Sequence, residues 1–113
     1  MRNKRIDRVS EEYKRVLIQV IRKNLQHSDT SDMLTVIDVK ITRDFRCADV
    51  FLSILDTDKK IKRTIEVLEI KKGIIRSEMG RKVKMHYTPE IRFHMDNSAE
   101  YAIHISKLLE DIK

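Results

Sequence analysis

Hydrophobic positions recur along the chain with two different periods, and the switches between them mark the elements. From about Lys4 to about Leu25, the residues Ile6, Val9, Tyr13, Val16, Leu17, Val20 and Ile21 fall at three- and four-residue steps, which predicts a helix with one apolar stripe and a charged opposite face. The run HSDTSD has turn chemistry, after which Ile37, Val39 and Ile41 alternate with Asp38, Lys40 and Thr42, the period of a half-buried strand. Arg43 to Arg46 form a polar connection, and Ala48, Val50, Leu52 and Ile54 alternate with Asp49, Phe51 and Ser53 as an antiparallel return strand. Asp56, Thr57 or Asp58 caps a second helix, with Ile61, Ile65, Val67 and Leu68 inward, ending near Lys72. Gly73 breaks that pattern, and a third helix carries Ile74, Ile75, Met79 and Val83 as core positions. Pro89 opens a strand of Ile91, Phe93 and Met95, because proline cannot donate within a ladder. Asn97 and Glu100 have capping-box spacing, and Ala102, Ile105, Leu108, Leu109 and Ile112 give a closing helix its buried stripe.

The predicted order is αββααβα, with the helices on one face of a three-stranded sheet: a two-layer α+β sandwich. This order resembles the type II KH arrangement. KH domains hold nucleic acid through a GxxG loop between two helices, where glycine lets the backbone approach the ligand. Gly73 and Gly80 are the only glycines and stand seven apart, so that loop cannot form and side chains must make the contacts; a helix-kink-helix at Gly73 takes its place.

A length of 113 residues implies a single domain spanning 1–113, with its core over about 4–112. With 41% hydrophobic and 37% charged residues the composition is globular rather than disordered. No leader-like apolar segment and no stretch long enough to span a bilayer is present, which predicts a cytoplasmic protein with no membrane partner. Cys47 is the sole cysteine, so no internal disulfide forms, and a buried small hydrophobe is its expected role.

Charge changes the picture more than composition does. The chain carries 24 basic and 18 acidic residues, a net of +6. Between Asp58 and His86 lie ten basic residues against four acidic ones, so this quarter of the chain holds the whole excess. Such a segment is the footprint of a surface that collects phosphates and releases their counterions; a solvated helix face is the bland alternative.

Several runs then resemble one family. Thr35 to Val39, Thr42-Arg43-Asp44, Ala48-Asp49-Val50, Gly73 to Arg81 (GIIRSEMGR), Tyr87 to Phe93 (YTPEIRF) and Asp96-Asn97-Ser98 are similar, in order and spacing, to those of ribosome-binding factor A. The resemblance implies a non-enzymatic bacterial assembly factor. It implies binding to the free 30S subunit, through 16S rRNA and ribosomal proteins, help in late maturation and 5′-end processing of that RNA, and a role in cold adaptation. In that family the middle helices meet at an Ala-x-Gly kink; the matching positions here are Lys71, Lys72 and Gly73, so lysine replaces the alanine.

On this reading Arg76, Arg81, Lys82 and Lys84 project from an exposed helix face. Lys71 and Lys72 sit at that helix's N-terminal end, where backbone amides favour anions, and Lys59, Lys60 and Arg63 extend the surface. Lys4, Arg5 and Arg8 could extend it further, although Asp7, Glu11 and Glu12 are close. Four engaged cations predict a log-log salt slope of about −3 on single-stranded RNA. Tyr87 is the best stacking candidate, but a structural edge position suits it better. No catalytic residue, metal or cofactor is expected: His27, His86, His94 and His104 lack ligand spacing, and Asp38 and Asp44 read as strand-end carboxylates. A monomer is expected. The competing reading is a small DNA-binding regulator, which would dimerise around paired half-sites; a nuclease would need a metal and clustered carboxylates.

Overall fold

The computed structural model describes residues 4–26 and 28–95. They form α1 (Lys4–Leu25), β1 (Leu34–Ile41), β2 (Cys47–Ile54), α2 (Asp58–Lys82) and β3 (Glu90–Met95). The strands make one sheet in the order β1-β2-β3, with β1 antiparallel and β3 parallel to β2. The parallel pair requires a crossover, and α2 supplies it. The closing helix expected from the stripe of Ala102, Ile105, Leu108, Leu109 and Ile112 lies outside the described residues.

Both helices pack on one face of the sheet, giving the expected α+β, KH-like two-layer arrangement. Tyr13, Leu17, Val20 and Ile21 of α1 meet Val36, Val39, Ile41, Ala48, Val50, Leu52 and Ile91 of the sheet, with Leu68, Ile75 and Met79 of α2. Each fully buried side chain of this size contributes about 1.5–3 kcal/mol through removal from water.

Three expectations are corrected. The register of β1 shifts between Val36 and Asp38, so a bulge turns Ile37 outward and places Val36 in the core ahead of Val39 and Ile41. Cys47 is half-buried on the outer side of β2 rather than in the core. The two middle helices are one: α2 runs for 25 residues without interruption through Lys71, Lys72 and Gly73, and Gly73 does not adopt a positive φ. The described order is therefore αββαβ. A glycine inside a helix costs about 1 kcal/mol relative to alanine. Burial of Val67 and Leu68 before it and of Ile75 and Met79 after it outweighs that cost.

The faces of α2 also differ from the sequence pattern. Ile70 and Ile74 are 76% and 58% exposed, whereas Thr64 and Glu78 are buried. Both of these have partners distant in sequence. Thr64 Oγ1 donates to Lys60 O and accepts from Ser31 N at 2.9 Å, tying the α1–β1 connection to α2. Thr57 caps the helix, its hydroxyl accepting from Lys60 N.

The β1–β2 turn is closely hydrogen-bonded. Thr42 N donates to Cys47 O, Phe45 N to Thr42 O, and Asp44 Oδ1 accepts from the Thr42 hydroxyl and from Arg46 N. These bonds hold Phe45 at φ 59°, the one positive value among non-glycine residues described, at a cost of about 1–2 kcal/mol.

Candidate nucleic-acid interface

The cations of the basic segment fall into three groups, because a helix turns about 100° per residue and spreads consecutive side chains around its axis. The first group stands at the start of α2. Lys59, Lys62 and Arg63 are exposed around a depression that also contains Asp29 and Glu66. Lys60 Nζ pairs with Asp29 at 2.9 Å and Arg63 with Glu66 at 3.6 Å. The hydrogen bond between Lys60 and Asp29 raises the lysine pKa and lowers the aspartate's, so both stay charged.

The second group is committed to the fold. Lys71 is half-buried and its ammonium donates to the Asn24 carbonyl, which closes the C-terminal end of α1. Lys72 pairs with Glu69 at 2.8 Å and lies over the Phe93 ring. Since α2 is continuous, neither lysine stands at a helix N-terminus, and the anion-favouring amides expected beside them do not exist. Arg76 donates from Nε and Nη2 to Thr88 O at 3.2 and 2.9 Å, contacts the Tyr87 hydroxyl, and sits over the Tyr87 ring. It fastens the α2–β3 connection to the helix, and Tyr87 is its platform. Gly73, expected at a kink, is exposed with open space around it.

Arg81, Lys82 and Lys84 make the third group. All three are exposed, and none forms an ion pair among the described residues; Arg81 donates only to the Ser77 hydroxyl. The nearby carboxylate, Glu78, is turned inward: it accepts from Asn24 Nδ2 at 3.2 Å and from Lys23 Nζ at 3.3 Å. The Asn24 bond leads in holding its carboxyl below the ordinary glutamate range, against the effect of desolvation. The positive field at this end of α2 is thus less compensated than at the other.

Arg63 and Arg81 lie eighteen residues apart, five full turns, and so share one edge of the helix at a separation of about 27 Å. Between them that edge presents Ile70 and Ile74. The basic segment is therefore two separated cationic ends with an apolar centre, where one coherent surface was expected.

Sequence reasoning missed a second basic feature. A groove of about 580 Å³ opens between the first turns of α1, the β1–β2 turn and the α2–β3 connection. Arg43, Lys84 and His86 are exposed at it, while Phe45 and Met85 line it half-buried. Arg43 and Phe45 lie outside the segment picked out by charge, and the left-handed backbone that positions Phe45 has no signature in a Thr-Arg-Asp-Phe-Arg run.

On the outer sheet face Asp49 accepts from Arg92 through both carboxylate oxygens, at 2.9 and 3.0 Å, and meets His94 Nε2 at 2.8 Å. His94 stacks on Phe51. Burial works to raise the Asp49 pKa, but the bonds from His94 and Arg92 prevail and hold it low. Among the described residues no group of three or more histidine, cysteine, aspartate or glutamate side chains is arranged to hold a metal.

Comparison with known proteins settles the family. The family model for ribosome-binding factor A matches residues 5–109. The chain belongs to the ribosome-binding factor A family. Ribosome-binding factor A of Clostridium kluyveri is 42% identical over 113 residues, covering 100% of this chain and 93% of the relative. That of Acetivibrio thermocellus is 37% identical over 107 residues, covering 95% and 87%. The Thermotoga maritima relative solved by solution NMR superposes with a TM-score of 0.69 at 30% identity, over 80% of this chain and 85% of that one. The crystal structure of ribosome-binding factor A from Thermus thermophilus gives 0.69 at 19% identity, over 80% and 94%, and shares the fold. A homology model of the Thermus thermophilus factor, fitted into a cryo-EM map of its complex with the 30S subunit, gives 0.66 at 18% identity, over 80% and 93%. The family is one of ribosome-binding factors, not of enzymes.

Proposed function

We propose that this protein binds the free small ribosomal subunit and assists late maturation of its 16S rRNA, including processing of the 5′ end, without catalysing a reaction itself. Membership of the ribosome-binding factor A family along residues 5–109 is the observation that carries this reading. The 30S complex of the Thermus thermophilus factor supports the choice of partner. The protein acts in the cytoplasm, as a monomeric KH-like RNA-binding unit spanning 1–113, and supports growth in the cold; among the described residues no helix is long and apolar enough to cross a membrane.

RNA contact is made by side chains, led by Arg81, Lys82 and Lys84, which are exposed and form no ion pair among the described residues. Lys59 and Lys62 provide a weaker second contact at the other end of α2. Such contacts set position and orientation, while the folded rRNA supplies specificity.

The test is a gradient profile of cell extract probed for the protein across free subunits and whole ribosomes. Sedimentation with the small subunit at low salt, lost at high salt, is expected. A protein that stays at the top of the gradient at every salt concentration refutes the reading.

A further inference from the structure

The groove between α1, the β1–β2 turn and the α2–β3 connection combines features that a general phosphate-collecting surface does not need. Its volume of about 580 Å³ lies within the range of small-ligand sites. Val9, Phe45 and Met85 give it an apolar floor, and Arg43, Lys84 and His86 stand at the rim. No carboxylate lines it among the described residues, whereas the depression at the start of α2 contains Asp29 and Glu66. The aromatic ring is delivered by a backbone at φ 59°, where glycine or asparagine would sit without strain, and five hydrogen bonds in the turn enforce it. This backbone sets the ring where it packs on the edge of the core with one side and lines the groove with the other.

We infer that this groove receives one unstacked nucleotide of single-stranded RNA, the base lying on Phe45 and Met85 and the flanking phosphates on Arg43 and Lys84. An apolar floor inside a cationic rim matches a nucleotide, which has a flat apolar face and an anionic edge. Aromatic and guanidinium groups stack on any base. A duplex is excluded because its bases are already paired and stacked, and a concave site of this size accepts only a base that has been splayed out. Lys84 connects the groove to Lys82 and Arg81, so a strand leaving it passes directly onto the uncompensated end of α2. The inference rests on the RNA-binding reading and refines it by assigning a base-contacting site.

The experiment uses the full chain with a fluorescein-labelled octauridylate, followed by anisotropy at low salt and by amide chemical-shift mapping, alongside pelleting with purified small subunits. Shifts concentrated at 43–46 and 84–86 are expected, with binding weakened about a hundredfold by R43E/K84E, the loss of two charge-assisted contacts at roughly tenfold each. Lys59→Glu, at the far end of α2, should change octauridylate affinity much less. Uridine monophosphate should produce the same local shifts only at far higher concentration. Because R43E/K84E disturbs a hydrogen-bonded turn, crosslinking of the unmodified protein to 4-thiouridine RNA is an independent readout, expected at Phe45 or Met85. Shifts and crosslinks confined to other surfaces would overturn the inference, as would tighter binding of an acidic peptide than of RNA at this groove. If small subunits still pellet the protein in that case, the proposed function stands and only the groove assignment falls. If neither subunits nor RNA are bound, both fall.

Discussion

The two halves of the basic segment carry equal net charge and offer it to solvent very differently. Residues 58–72 hold six basic and three acidic side chains, and residues 73–86 hold four and one, each a net of +3. In the first stretch Lys60, Arg63 and Lys72 pair with Asp29, Glu66 and Glu69. In the second, Glu78 is drawn inward by Asn24 and Lys23, and Arg81, Lys82 and Lys84 are exposed and form no ion pair among the described residues. Charge counted along a sequence is therefore not charge available to a ligand; what matters is where each neighbouring carboxylate points.

The largest effect should come from setting the two ends against each other. Reversal of Arg81, Lys82 and Lys84 to glutamate is expected to weaken small-subunit binding on the order of a hundredfold and to flatten the log-log salt slope by about 2. The matching reversal of Lys59, Lys62 and Arg63 should cost much less, since Arg63 already has a partner. Quantitative pelleting across a salt series measures both. Equal losses from the two triples would show that pairing does not govern the contact.

Arg76 is part of the basic run in sequence but part of the scaffold in structure. Arg76→Ala removes two charge-assisted bonds to the Thr88 carbonyl and should destabilise the fold by about 2–3 kcal/mol in urea denaturation. Reversing Arg76, Arg81 and Lys82 together would therefore confound lost folding with lost binding. A denaturation midpoint for Arg76→Ala unchanged from the parent would return Arg76 to the ligand-facing set.

The inward turn of Glu78 is what leaves the second end less compensated, and its pKa makes it testable by pH. Its folded pKa lies below the ordinary 4.5, so the stabilisation is fully present above that value and is lost as pH falls through it toward the folded pKa. Glu78→Gln should cost about 1–2 kcal/mol at neutral pH, and the gap from the parent should close as pH drops below the glutamate range. Denaturation curves at stepped pH would show this; a gap constant with pH would mean that the carboxylate charge is not what matters.

Much of this architecture could be read from period alone. The α1 stripe and the alternation in β2 appear where expected, because each buries one uninterrupted face. What could not be read depends on partners distant in sequence. Thr64 and Glu78 are buried because Ser31, Asn24 and Lys23 satisfy them, while Ile70 and Ile74 stay outside because neither helix nor strand covers that edge among the described residues. The bulge at Val36 is equally silent in sequence, since a one-residue shift leaves Val36 and Ile37 both plausible as inward residues. For the site, the density of cations was visible; their division into paired, structural and available groups was not.

The two glycines of α2 give the finest test of the same division. An expected kink assigns the special role to Gly73, yet a Cβ there would meet nothing within 4 Å, and its backbone is helical. At Gly80 a Cβ would stand 2.7 Å from the Thr88 hydroxyl, so this is where the α2–β3 connection needs the missing side chain to lie close to the helix. Gly73→Ala should therefore stabilise by about 0.5–1 kcal/mol, the ordinary gain of alanine over glycine inside a helix. Gly80→Ala makes the same gain in propensity but forces Thr88 aside, and a net loss of about 1 kcal/mol is expected. The Thr88→Ala background removes the atom in the way, leaving only a Cβ at ordinary contact distance, so there Gly80→Ala should change sign and stabilise. Thermal melts of the four single and double variants decide the matter. If Gly73→Ala proves the more damaging of the two glycine changes, the continuous helix is not the working form of this segment, and a bend at Gly73 is.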